Sequence, residues 1–298
     1  TSRDALDQIG LFITDTWAMG RLTINPGVRY DRYRGWLPEQ TSIAGQTGPV
    51  TVQQVKYPDT TLYTWNQFAP RIGMVFDLTG NGKTVIKANY GLYWHNPGAG
   101  TGAGANPNIS EKFAQYGWND INADKRWQPG EETTLSTAQL AGAVKLDPTL
   151  SDPYTHEVSA WLEHQMTDTL GARVGFVYKT EDDLISTSYQ KDRGLSAYTA
   201  PFTFRDNGLD GVANTADDRI LNLLGFPTAN AAQYPVTQWV TNVPQYSRYK
   251  TIEASMNKRY GNKWSASLGG AYTMLKDFPN GYPQNPNQPG LEDRSTYN

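Results

Sequence analysis

The sequence predicts an all-β protein: an antiparallel transmembrane β-barrel segment of about eight up-and-down strands, with tight turns at one end and long loops at the other. Three observations predict it. Apolar residues alternate with polar or small ones along successive stretches, which gives each stretch one apolar face. The stretches come in pairs joined by short turns, while the connections between pairs are long. The 298 residues include 18 Tyr, 9 Trp and 9 Phe, yet the mean hydropathy is only −0.60. A barrel wall that alternates apolar-out and polar-in has this combination, because Tyr and Trp favour membrane interfaces.

The first pair is Gln8–Met19 and Leu22–Gly35, joined around Gly20-Arg21. Ile9, Leu11, Ile13 and Trp17 share a face in the first, and Leu22, Ile24, Val28 and Tyr30 in the second. Pro26 removes a backbone donor, so an irregularity is expected there. The second pair is Gln67–Trp94, folded at Gly80-Asn81-Gly82-Lys83. Phe68, Ile72, Met74 and Phe76 share a face, as do Ile86, Ala88, Tyr90 and Leu92. The third pair is Tyr154–Met166 and Leu170–Lys179, and the fourth is Arg248–Lys276, folded at Gly261-Asn262-Lys263.

Three long connections separate the pairs: Gly35–Trp65, His95–Pro153 and Glu181–Tyr246. Within them, Val50–Lys56 is expected to hold a strand and Gly98–Gly104 to be a flexible tract. Glu131–Ala143 is expected to form a short helix, and Leu184–Gln190 and Gln238–Val243 to extend the wall outward. A polar, Pro-rich tail runs to Asn298.

Arg29, Arg71, Lys87, Glu157, Glu163, Arg173, Lys179, Glu253 and Arg259 fall on the face opposite the apolar one. A dry sandwich core would not hold so many charges, whereas a wet lumen would. The competing expectation is a soluble secreted β-sandwich, a carbohydrate-binding or hydrolase domain, whose apolar faces pack on a second sheet. A self-contained eight-stranded barrel is a third. No run of about 18 apolar residues provides a transmembrane helix. With no Cys there is neither a disulfide nor a thiolate site, and a net charge of −3 offers no basic patch for nucleic acid.

The segments Gly10–Asp31, Phe68–Trp94, Thr155–Thr180 and Tyr249–Lys276 together resemble the barrel of TonB-dependent outer-membrane receptors. They are most similar to the Oar-like group, whose members often carry a carboxypeptidase-regulatory-like domain. The resemblance implies a transport protein of the Gram-negative outer membrane, not an enzyme. Its implied partners are outer-membrane lipid and lipopolysaccharide, a plug domain, the TonB complex reached through that plug, and a substrate caught by the outer loops. Barrels of the family have about 22 strands. The family's plug and TonB box are not among these residues, the opening Thr1-Ser2-Arg3-Asp4 is no signal peptide, and Asn298 is not the aromatic residue on which such barrels end. Residues 1–298 are therefore expected to be an internal portion of a larger barrel.

For chemistry, the sharpest local motif is Asp206-Asn207-Gly208-Leu209-Asp210-Gly211, followed by Asp217 and Asp218. Asp206, Asp210, Gly211 and Asp217 match positions 1, 5, 6 and 12 of a calcium loop, but position 3 is Gly208. Calcium bound by Asp206, Asp210, Asp217 and Asp218 is one expectation, and a polar turn without metal is the other. His156 and His164 lie too far apart on one strand to share a metal, and His95 stands alone. Glu157 and Glu163 are roughly 20 Å apart at strand rise, too far for glycoside hydrolysis at about 5–10 Å. Trp36, Trp118, Trp127 and Trp239 in the connections are candidate substrate contacts, with loop packing as the equal alternative.

Overall fold

The computed structural model describes residues 2–47, 50–189, 191, 197–225, 227, 237–243 and 246–277. Its dominant element is one antiparallel sheet. Eight strands follow each other across it in chain order: β1 (Ala5–Thr14), β2 (Leu22–Leu37), β3 (Thr60–Asp77), β4 (Thr84–Trp94), β5 (Tyr154–Gln165), β6 (Leu170–Asp182), β7 (Ser247–Gly261) and β8 (Trp264–Asp277). The short strand Trp17–Met19 continues β1 alongside β2. Every neighbour in space is a neighbour in sequence among these strands, as in an up-and-down barrel wall.

The register shows why each face has a single character. Ile24, Met74, Ala88, Ala160, Phe176, Ile252 and Tyr272 stand opposite one another across seven strands. The adjacent row on the other face is Asn25, Gly73, Asn89, Ser159, Val177, Thr251 and Thr273. A one-residue slip would exchange the two rows, so alternation in the sequence specifies the pairing. Among the described residues no second sheet covers the apolar face, on which Leu11 is 64%, Phe68 61% and Leu268 68% exposed. This overturns the sandwich expectation. Nor do β1 and β8 pair with each other among the described residues, so the sheet is an open wall and not a closed eight-stranded barrel.

The apolar band has two polar edges. On β5 these are His156 and His164, with Val158, Ala160 and Leu162 between them. Eight residues rise about 26 Å along the strand, or about 20 Å along the membrane normal at a tilt near 40°, close to the height of a hydrocarbon-facing band. At the outer edge the Tyr90 hydroxyl and His156 Nδ1 are 3.0 Å apart, and Trp94 and Tyr154 have ring centroids 5.3 Å apart. At the turn edge Thr84 Oγ1 lies 2.9 Å from His164 Nδ1, and Lys258 sits over the Trp264 ring at 4.4 Å. These aromatic groups match the girdles of a membrane wall.

The tight turns are built by their own side chains. Asp77 accepts from the amides of Gly80 (2.9 Å) and Gly82 (2.8 Å), while Asn81 accepts from Lys83 N–H (3.0 Å). Gly80 and Gly82 have φ of 73° and 72°, which only glycine adopts without steric cost. Pro26 sits inside β2, as expected with an irregularity. The register runs on from Thr14↔Gly27 to Trp17↔Ile24, and the break falls on the neighbour, between β1 and Trp17–Met19. Asp15 N–H donates to Pro26 O at 3.0 Å, so the donor that Pro26 lacks would point the same way.

The long connections differ most from expectation. Glu132–Gln139 is a strand paired with Phe113–Trp118, not a helix. Thr133, Thr134 and Thr137 are β-branched, and a single short helix has little stability without a packed face. Gly98 caps a 3₁₀ helix, Ala99–Ala105, that takes in the rest of the Gly98–Gly104 tract and whose Gly102 is buried against the tip of the Leu62 side chain. The strand expected in Val50–Lys56 is Val50–Val52, paired with Gly45–Thr47. Ile185–Tyr189 and Trp239–Asn242 pair with each other rather than prolonging the wall, and Lys145–Leu146 completes that small sheet. The tail beyond Asp277 lies outside the described residues.

Candidate functional site

The polar face and the loops above it form one continuous surface. Its lower part is a ladder of charges held by strand register. Lys87 on β4 reaches Glu163 on β5 at 2.8 Å, Lys179 on β6 reaches Glu157 on β5 at 2.8 Å, and Arg173 on β6 stands 4.0 Å from Glu253 on β7. On β2, Arg29 makes two bonds to Asp31, at 2.6 and 2.7 Å. Arg259 donates to the Asp168 carbonyl at the third turn, 2.8 Å away. Most of these side chains are between a third and a half exposed, so each pair contributes little stability by itself. What they do collectively is keep this face wet and charged.

Aromatic rings lie on the same face over glycines of the adjacent strand or two positions along the same strand. Trp161 lies across Gly175, and the Arg173 guanidinium covers it at 4.3 Å. Tyr93 lies over Gly91, with Arg71 above the ring at 4.7 Å. Tyr63 lies over Gly35 and stacks on Trp65 with centroids 4.1 Å apart. Glycine leaves the strand surface open, and the ring fills the gap and protects the backbone hydrogen bonds.

At the outer end the loops fold down onto this face. Leu150 and Val240 pack with Tyr63 and Trp65 in a small core, and Trp65 Nε1 donates to the Leu150 carbonyl at 3.0 Å. Asp147 accepts from Lys191 (2.5 Å), Thr241 Oγ1 (2.6 Å) and Thr149 N–H (2.9 Å). Burial pushes the Asp147 carboxyl up, but these donors outweigh it and hold the group below the usual carboxylate range. A second knot joins Gln40, Asn106 and Asn108, all buried, to the Arg3 backbone. Asp152 contacts Gln67 of β3, and burial pushes its carboxyl up to about 7, with the Gln67 amide offsetting only part of that. Sequence reading missed Asp147, Asp152 and Gln67. Their signals were two Asp-Pro steps, Asp147-Pro148 and Asp152-Pro153, the second immediately before an alternating run, where a loop returns to a strand.

The candidate residues from the sequence fall into three groups. Trp118 and Trp127 are about half exposed on the loops, whereas Trp36 is covered by Arg34 at 5.1 Å and the Trp239 ring has Lys145 at 5.4 Å and Lys191 at 5.5 Å. Glu157 and Glu163 are each paired with a different lysine, so they do not act as a couple. His156 and His164 mark the two edges of the apolar band, and His95 Nε2 lies 3.0 Å from Glu181.

Asp206, Asp210, Asp217 and Asp218 lie in the tip of a hairpin formed by Ala200–Asp206 and Arg219–Gly225. Asp217 accepts from Leu209 N–H (2.8 Å) and Thr215 Oγ1 (2.7 Å), and Asp218 from Asn214 N–H (2.7 Å). Asp210 accepts from Val212 N–H (2.8 Å) and Asp206 from Gly208 N–H (3.2 Å). The Thr215 hydroxyl, then Leu209 N–H, hold Asp217 below the usual carboxylate range. Among the described residues no three or more His, Cys, Asp or Glu side chains gather as a metal would need. The tip is organised by its own hydrogen bonds.

A family model described as "Outer membrane beta barrel domain" matches residues 3–298. The chain is similar to the TonB-dependent transporter Oar of Myxococcus xanthus, with 21% identity over 212 residues, covering 62% of this chain and 18% of that protein. Among solved structures it is similar to the FrpB iron transporter of Neisseria meningitidis, with 11% identity and a TM-score of 0.48, covering 92% of this chain and 26% of that one. It is also similar to the alcaligin outer-membrane receptor FauA of Bordetella pertussis, with 11% identity and a TM-score of 0.39, covering 92% and 31%. The chain thus spans 18% of the length of the curated relative it matches. With an exposed apolar band on one face, a charged ladder on the other, and a family match from end to end, the chain belongs to the outer-membrane β-barrel family.

Proposed function

We propose that this chain forms part of the wall and outer loops of a TonB-dependent transporter. The observation that carries the reading is the ladder Lys87–Glu163, Glu157–Lys179 and Arg173–Glu253 on the back of an exposed apolar band. Such a wall needs lipid on one side and water, or another polar protein surface, on the other. A plug domain would lie against the charged side, and the inner-membrane TonB complex would act through it. The exposed Trp118 and Trp127 and the hairpin Ala200–Asp206/Arg219–Gly225 would be the loop parts that meet substrate, a reading supported by their exposure. Among the described residues β1 and β8 each leave one flank unpaired, which supports a parent barrel with further strands, because long open edges invite uncontrolled pairing. The similarity to a TonB-dependent transporter favours this reading over a passive pore.

The test uses the full-length protein in its own outer membrane. It should co-fractionate with that membrane, require detergent for extraction, and cross-link through a segment outside residues 1–298 to the periplasmic domain of TonB. Failure to cross-link in an otherwise intact outer-membrane protein would remove the TonB assignment and leave only the barrel.

A further inference from the structure

We propose that Asp152 and Gln67 form a proton-held latch, in which Asp152 as the neutral acid closes a reciprocal acid–amide pair and pins the outer loop at residues 147–153 over the lumen face. Both side chains are 3% exposed, Gln67 on the lumen face of β3 and Asp152 in the loop that leads into β5. Gln67 Nε2 donates to Asp152 Oδ2. The remaining oxygens, Asp152 Oδ1 and Gln67 Oε1, are both buried and have no partner. An ionised carboxylate has no proton to give, and would leave two orphaned acceptors in a dry site. A carboxylic acid carries one O–H, and the amide oxygen is the acceptor it lacks. One proton therefore satisfies both atoms.

Among the described residues the surroundings provide no cationic counterpart: no lysine or arginine lies within ion-pair reach of Asp152. The titratable groups that interact with Asp152 are Tyr33 on β2 and Tyr63 on β3; beside them stand Asp31 and Arg29 on β2 and Asp4 before β1. On the loop's own flanks, Asp183 accepts from the Ser151 hydroxyl at 2.8 Å, and His95, whose N–H donates to the Pro153 carbonyl, has its ring 3.0 Å from Glu181. Arg29 is occupied by both oxygens of Asp31. Burial agrees with the geometry, since it pushes the Asp152 carboxyl up to about 7.

The pair closes a larger tie. Leu150 is seated against Tyr63 and Trp65, Asn242 Oδ1 accepts from Ser151 N–H at 2.7 Å, and the Pro153 carbonyl accepts from His95 N–H at 3.0 Å. These contacts hold the small sheet of Lys145–Leu146, Trp239–Asn242 and Ile185–Tyr189 to the wall at the outer mouth. The carboxyl rises from 3.8 in the free loop to about 7 in the latch, so the latch is fullest below the lower value, weakens as pH rises between the two, and stays weak above the higher one. Acidification thus closes this part of the mouth and mild alkali frees it. This inference stands without the TonB assignment.

The experiment is hydrogen exchange on the full-length protein in detergent, reading amides of residues 147–153 at pH 5 and 8 after correction for intrinsic exchange. Wild-type opening should rise at least tenfold from pH 5 to 8. Asp152→Asn, whose amide can pair with Gln67 at any pH, should flatten that dependence while protection is retained. Asp152→Ala should open the loop at both pH values. A wild-type loop with equal protection at both pH values, or a D152N loop that keeps the wild-type dependence, would overturn the latch. So would protection at pH 8 that tracks sodium or potassium concentration, since a bound cation and not a proton would then hold the two oxygens.

Discussion

Gly175 shows how much one residue can carry in this wall. A side chain there would enter the Trp161 ring, which lies flat against the strand beneath Arg173. Gly175→Val should lift the indole, break its contact with Arg173 and destabilise the folded wall by about 1–3 kcal/mol. The unfolding midpoint in detergent, with tryptophan emission shifting toward that of solvated indole, checks this. At the hairpin tip, Asp217 accepts from Thr215 and Leu209, and its carboxyl is held below the usual range. Its contribution to the tip is therefore present at neutral pH and lost as pH falls through that lowered value. Asp217→Ala should make residues 207–218 more susceptible to protease at pH 7 without releasing the wall. Adding calcium to wild type in the same assay tests the calcium expectation directly, because an ion must first displace these hydrogen bonds. Unchanged cleavage would remove calcium from the account.

At the scale of elements, strands with one lipid-facing side were readable because lipid imposes a strict two-residue period. The alternation of Phe68, Ile72, Met74 and Phe76 against Arg71, Gly73 and Val75 is the same in sequence and structure. Loop elements carry no such period. Glu131–Ala143 read as helix because its Thr, Ser and Ala residues carry weak local preferences, and its strand exists because Phe113–Trp118 is there to pair with it. Pro26 tests the converse case, in which a local rule gives way to the sheet. Pro26→Val would restore a donor toward the gap between β1 and Trp17–Met19, and should stabilise the wall by about 1 kcal/mol. Slower amide exchange at residues 14–17 would confirm it, and unchanged exchange would place the cause of the break in the Asp15-Thr16 segment itself.

For the whole molecule, the two faces of one sheet live in different solvents. Ile252 and Ser255 are three residues apart on β7, the first in the middle of the apolar band and the second beside Arg173 on the charged face. Ile252→Arg should cost about 2–4 kcal/mol, the range for a cation near the bilayer midplane. Ser255→Glu, placed opposite Arg173, should change stability by no more than about 0.5 kcal/mol. Unfolding of the full-length protein from lipid vesicles distinguishes them. Equal effects would mean that the apolar face does not contact lipid.

The sequence by itself determined the wall: its strand order, its turns, which residues face lipid, and which charges share the opposite side. It could do so because neighbouring strands are neighbours in the chain, and a two-residue period under a sharp change of solvent leaves one register. Only the tertiary structure decided how the outer loops close over the mouth. It brings Gln67 to Asp152, Trp65 to Leu150, and Asp147 to Lys191 and Thr241, pairs that lie tens of residues apart. No local pattern encodes such contacts, because their energy arises from burial that exists only once the loops have folded onto the wall.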